Sequence, residues 1–123
     1  MVGVRAKGTE MSVGSITEQQ GRIVVELSGE IDLENAGAVR RAILDNLKKG
    51  RDVLIDLSQV TYIDSSGIAS LVEGLQVARK QKNDLVLVAV SQRVRRVLEL
   101  ARLDKVFSIH TDLGSAFTAA PKS

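Results

Sequence analysis

With 123 residues, 44% of them hydrophobic and 26% charged, the chain has the size and balance of one domain with a real core, which excludes a wholly disordered polymer. Its only aromatic residues are Tyr62, Phe107 and Phe117, it has no cysteine, and His110 is its one histidine. That excludes an aromatic platform for single-stranded nucleic acid, a thiolate zinc site, a redox pair and a disulfide framework. Seventeen Lys and Arg against fifteen Asp and Glu leave a net charge of +2, so bulk charge does not point to direct nucleic-acid binding.

Residues 1–9 mix Gly, Thr and charge without periodicity and read as a flexible arm, with the domain over 10–119 and a tail over 120–123. The arm has no apolar core of the secretory kind, and the longest strongly apolar run, Leu85 to Val90, is too short to span a bilayer. A cytoplasmic protein without membrane insertion is expected. Met11, Val13 and Ile16 surround turn-like Gly14 and Ser15, and Arg22 to Ser28 is rich in β-branched residues. These runs predict two short antiparallel strands with Thr17 to Gly21 as the hairpin loop. Ala36, Val39, Ile43, Leu44 and Leu47 then recur at helical spacing, with Asp32 or Asn35 as N-cap and Gly50 as the stop. Arg51 to Leu57 contains the continuous apolar run of a strand buried on both faces.

A second helical stripe runs through Ile68, Leu71, Val72, Leu75 and Ala78, followed by a strand over Leu85 to Val90. Val94, Val97, Leu98 and Ala101 mark a third helix, Val106 to Ile109 a fifth strand, and Asp112 to Ala119 a last short helix. Strands alternating with amphipathic helices specify an α/β domain: a mixed, largely parallel sheet of about five strands with helices packed against it. Basic residues cluster at Lys48, Lys49 and Arg51, at Arg79, Lys80 and Lys82, and at Arg93, Arg95, Arg96 and Arg102. They read as solvated faces and helix C-terminal ends, with an acidic partner surface as the sharper alternative.

The chemistry concentrates in Thr61-Tyr62-Ile63-Asp64-Ser65-Ser66-Gly67-Ile68, between the third strand and the second helix. Parallel α/β domains place their sites at this end of the sheet. Asp and Ser there are also preferred helix caps, so a capping role competes with any functional one. The helix is expected to begin near Ser66 with Ser65 as an exposed cap, and its free amides and dipole would accommodate an anion such as a phosphate on Ser65. A serine hydrolase finds little support. Ile63 stands where the first glycine of a G-x-S-x-G elbow would be, and His110 is the only available base. No phosphate-binding glycine loop of either common type occurs.

Four segments together resemble the STAS domain, and within it the small bacterial anti-sigma factor antagonists of sporulation and stress-response type. Leu27-Ser28-Gly29-Glu30-Ile31-Asp32 is similar to an early signature of that family, and Asp56-Leu57-Ser58 leading to Ile63-Asp64-Ser65-Ser66-Gly67-Ile68 is similar to its phosphorylation segment. Ser91 through Ala101 and Leu103-Asp104-Lys105-Val106-Phe107 resemble its later helix and strand. Where members often carry Gly-Leu-Gly after the serines, this chain has Gly67-Ile68-Ala69.

The resemblance implies a regulatory binding protein with no catalytic residues, no metal and no cofactor. It implies that Ser65 is phosphorylated by an anti-sigma factor that is also a serine kinase, and that a PP2C-type phosphatase reverses this. The unphosphorylated form then binds the anti-sigma factor and frees the sigma factor. Asp32, Asp64, Ser65, Ser66, Gly67 and Ile68 are implied to form the partner-binding surface. The same fold also serves as a soluble subunit of phospholipid-trafficking ABC systems, which is the alternative reading.

Overall fold

The structure, a computed structural model, describes residues 12–118. The expected arm over 1–9, the tail over 120–123, Met11 and Ala119 lie outside the described residues. Strand β1 (Val13–Gln19) pairs antiparallel with β2 (Arg22–Ile31). The connecting turn is only Gln20 and Gly21, both at positive φ (52° and 78°), the pair of left-handed residues that a two-residue hairpin of type I′ requires. The hairpin loop is therefore shorter than the polar composition of Thr17 to Gly21 suggests, because three of those polar residues belong to an edge strand whose side chains face solvent.

Helix α1 (Ala36–Leu47) leads from β2 to β3 (Val53–Ile63), α2 (Ser65–Lys80) to β4 (Leu85–Val88), and α3 (Gln92–Leu100) to β5 (Ser108–His110); α4 (Leu113–Thr118) closes the described chain. The sheet order is β1-β2-β3-β4-β5, and every pair after the first is parallel. Successive crossovers of one hand, each to the neighbouring strand, put α1, α2 and α3 on one face. Ile23, Val25, Leu27, Ile55, Leu57 and Leu87 meet the stripes of those three helices there in one cluster. Removing one such side chain, as in Leu71→Ala, would cost about 2–5 kcal/mol. On the opposite face Val24, Leu54 and Val88 form a smaller apolar cluster, which short α4 covers with Ala116 and Phe117. Phe117 also lies under the Arg22 guanidinium, 5.7 Å from the ring centre.

Strands β2 and β3 run further than their periodicity predicts, to Ile31 and Ile63 instead of Ser28 and Leu57. The cause in β3 is a pair of bulges. Its register against β2 slips by one residue between Asp56 and Gln59, and again between Val60 and Tyr62. On the face that meets the helices, buried residues therefore fall at Val53, Ile55, Leu57, Val60 and Ile63, and the two steps of three hide the strand from a period-two search. At the last parallel strand, Val106 is exposed and β5 starts only at Ser108, while Phe107 packs into the core ahead of it.

The strand starts are locked by polar contacts. Asp52 Oδ1 accepts from Asn83 Nδ2 at 3.0 Å and from the Asp84 amide at 2.9 Å, and Gln81 Nε2 donates to the Leu47 carbonyl at 2.6 Å. On the outer surface Arg40 of α1 grips Glu73 of α2 with two hydrogen bonds, Nε to Oε1 at 2.7 Å and Nη2 to Oε2 at 2.8 Å. That hydrogen bond holds the Glu73 carboxyl below its usual pKa and raises that of Arg40. A carboxylate with a depressed folded-state pKa stabilises above its unfolded pKa and stops doing so as pH falls through the folded one. A double-mutant cycle of Arg40→Ala and Glu73→Ala, read by urea unfolding, is expected to show favourable coupling at neutral pH. The coupling should shrink in salt and vanish once acid has protonated Glu73.

Candidate functional site

Two chain reversals lie side by side at the C-terminal ends of β2 and β3. Ile31 and Ile63 are register partners, and the Asp64 amide donates to the Ile31 carbonyl at 3.0 Å, so the turn after β3 is bonded to the end of β2. Asp32 and Ser65 therefore belong to the same end of the sheet, as the gathering of loops at the ends of parallel strands leads one to expect.

Asp64 leaves β3 in an extended conformation (φ −105°, ψ −171°), and its Oδ1 accepts from the Ser66 amide at 2.8 Å and the Gly67 amide at 3.1 Å. Asp64 is thus the cap of α2, and Ser65 is its first helical residue. This corrects the expectation of Ser65 as the cap of a helix starting near Ser66, since a carboxylate one residue earlier accepts the orphan amides more strongly than a hydroxyl. The anion site expected from those amides is corrected too: two of them already hold the Asp64 carboxylate. Ser65 is exposed, and its hydroxyl has no partner among the described residues.

The rest of the first turn faces inward. Gly67 and Ile68, expected on the partner-facing surface, are buried. A Cβ on Gly67 would lie 2.7 Å from Ile31 Cγ2 and 2.6 Å from Ile63 Cγ1, so only a glycine lets the helix sit this close to both strand ends. Ser66 is half-buried, and its carbonyl shares the Ser70 hydroxyl with the Ala36 carbonyl, at 3.2 and 3.1 Å. Ser70 thereby ties α2 to the start of α1.

Around Asp32 the turn is held by Asn35. Asn35 Oδ1 accepts from the Asp32 amide at 2.9 Å and its Nδ2 donates to the Glu30 carbonyl at 2.7 Å, while Asp32 Oδ1 accepts from the Glu34 amide at 3.0 Å. Asn35 occupies the cap position of α1 without capping it, because its buried side chain is spent on clamping the loop. The clamp leaves Leu33 78% exposed, and Tyr62, just before the β3 turn, is 44% exposed. Neither was marked by periodicity. The available signal was a lone leucine between Asp32 and Glu34 in a turn, where no core position calls for it.

Among the described residues no cluster of three or more His, Asp or Glu could hold a metal ion, and no helix is long and apolar enough to cross a membrane. His110 lies in β5, two strands away from β3, with its carbonyl accepting from the Ala89 amide at 2.9 Å, and nothing brings it to Ser65.

The sequence and the fold are similar to those of known proteins. A family model described as the STAS domain matches residues 15–116. An anti-sigma-B factor antagonist of Listeria monocytogenes is 33% identical over 88 residues, covering 71% of this chain and 77% of that one. One of Bacillus subtilis is 29% identical over 94 residues, covering 76% and 86%. The crystal structure of an anti-sigma factor antagonist from Mycobacterium paratuberculosis matches with a TM-score of 0.77 at 31% identity, over 87% of this chain and 92% of that one.

Urea unfolding of three variants checks the division of labour in the turn. Gly67→Ala should lose about 1–3 kcal/mol by overpacking against Ile31 and Ile63. Asp64→Ala should lose about 0.5–2 kcal/mol of cap energy. Ser65→Ala should change stability by no more than about 0.5 kcal/mol, since its hydroxyl holds nothing in place.

Proposed function

The chain belongs to the STAS domain family, and from that membership we propose that it acts as an anti-sigma factor antagonist switched by phosphorylation of Ser65. In its unphosphorylated form it binds an anti-sigma factor that is also a serine kinase, so that the sigma factor is released. The observation that carries the reading is an exposed, unbonded Ser65 hydroxyl on the first turn of α2, in a chain whose similar relatives bear the name anti-sigma-B factor antagonist. The same names favour this reading over a subunit of a phospholipid-trafficking transport system.

Asp32, Asp64 and Ser66 supply the polar part of the partner surface, and Leu33 with Tyr62 the apolar part. Gly67 and Ile68 contribute from beneath by fixing the height of the turn. The kinase transfers the γ-phosphoryl group of ATP to Ser65 Oγ, and a PP2C-type phosphatase returns the hydroxyl. Catalysis belongs to those cytoplasmic partners, and this chain supplies recognition.

The physical basis of the switch is desolvation. A neutral hydroxyl on the turn is covered by a partner at small cost, whereas a phosphoserine carries about 1.5–2 negative charges near pH 7. In many helix starts free amides would share that charge. Here Asp64 already occupies the Ser66 and Gly67 amides and adds a like charge one residue away. The phosphate is left to water, and a partner that must strip that water binds poorly.

Incubation with an anti-sigma factor kinase and ATP should add one phosphate by intact mass, mapped to Ser65 and absent in Ser65→Ala. Phosphate on Ser66, or none with any such kinase, would overturn the assignment. Leu33→Asp should weaken kinase binding at least tenfold, about 1.4 kcal/mol, while leaving stability within about 0.5 kcal/mol. Unchanged affinity would remove Leu33 from the interface.

A further inference from the structure

At the opposite end of the sheet, the hairpin strand β1, the start of β2 and the C-terminal end of α1 enclose a cleft of about 380 Å³. It lies at Ile23, eight residues of strand or roughly 26 Å from Ile31 beside the phosphorylation turn. Ile23 and Ile16 give it an apolar wall, and Lys49, Arg51, Glu18, Asn46 and Thr17, whose hydroxyl accepts from Gln19 Nε2 at 3.1 Å, its polar lining. The volume falls within the range of small-molecule sites.

Asn46 is the telling residue. It lies on the buried side of α1 and is only 5% exposed. Its Nδ2 is turned back to the Ala42 carbonyl at 2.7 Å, and its Oδ1 has no partner among the described residues. Buried side-chain acceptors are rarely left unpaired. By contrast Asn35 and Ser70, also buried, spend their polar atoms on named partners. The charges add a second constraint. Arg51 is paired with Glu18, whereas Lys49 makes no ion pair among the described residues. Two cations against one carboxylate leave a single positive charge uncompensated.

The geometry points to a binding site for a small aromatic or heterocyclic monoanion, with an apolar body against Ile16 and Ile23, an N–H or O–H donor to Asn46 Oδ1, and a carboxylate facing Lys49. A phosphate dianion would exceed the available positive charge, and a neutral ligand would leave Lys49 unanswered. The site is independent of the proposed role of Ser65.

Titration of the full chain with indole-3-carboxylate, followed by amide chemical shifts, tests this. Saturable shifts at Ile16, Ile23, Asn46 and Lys49 are expected, with affinity at least tenfold lower in Lys49→Glu, an exposed change that leaves the fold in place. Benzoate, which has the carboxylate and no N–H donor, should bind more weakly than indole-3-carboxylate. Absence of saturable shifts, an unchanged response in Lys49→Glu, or an equal response to inorganic phosphate would each overturn the proposal.

Discussion

The seating of the first turn of α2 against the ends of β2 and β3 is the constraint on which the turns around Asp32 and Ser65 depend. It has two parts: the Asp64 amide bonded to the Ile31 carbonyl, and the bare Cα of Gly67 between Ile31 and Ile63. The bond fixes the turn laterally, and the missing Cβ fixes its height. Once both are set, Asp64 reaches the Ser66 and Gly67 amides, Ser66 turns its carbonyl to Ser70, and Ser65 is the residue left facing water. An exposed modifiable hydroxyl is here a consequence of tight packing underneath it. The rigidity also means that a charge placed on Ser65 has no slack backbone through which to relax.

Much of the fold was legible because its signals are local and periodic. The stripes Val39-Ile43-Leu47 and Leu71-Leu75-Ala78 both face the core as their spacing requires, and the alternation of strand and helix gave the mixed sheet. The errors fall where one residue changes phase. Two bulges in β3 moved burial from a step of two to a step of three, so Val60 and Ile63 were not read as strand. The hairpin turn is shorter than the sequence suggests because polar side chains in an edge strand look like a loop when read without their neighbours.

At the site, residue types were more legible than roles. Asp64, Ser65 and Ser66 were singled out together, but which of them caps the helix depends on where β3 stops, and its bulges obscured that. Gly67 and Ile68, expected at a surface, lie beneath it, since burial at a helix start depends on the strands below. The exposure of Leu33 and Tyr62 is not legible in the sequence, because an exposed apolar side chain leaves no periodic trace. Asn35 shows the same limit from the other side: it stands at a cap position by sequence and works as a loop clamp in three dimensions.

An Asp64 carboxylate that has already taken the helix amides makes the turn hospitable to a neutral serine and poor at sheltering a phosphorylated one. The most direct measurement is a calorimetric titration of an anti-sigma factor kinase with stoichiometrically Ser65-phosphorylated protein and with the unmodified protein, alongside the amide shifts of both forms. Binding at least tenfold weaker is expected after phosphorylation, with shifts confined to the turns around Asp32 and Ser65. Equal affinity of the two forms, or shifts spread across the whole sheet, would contradict a local charge switch.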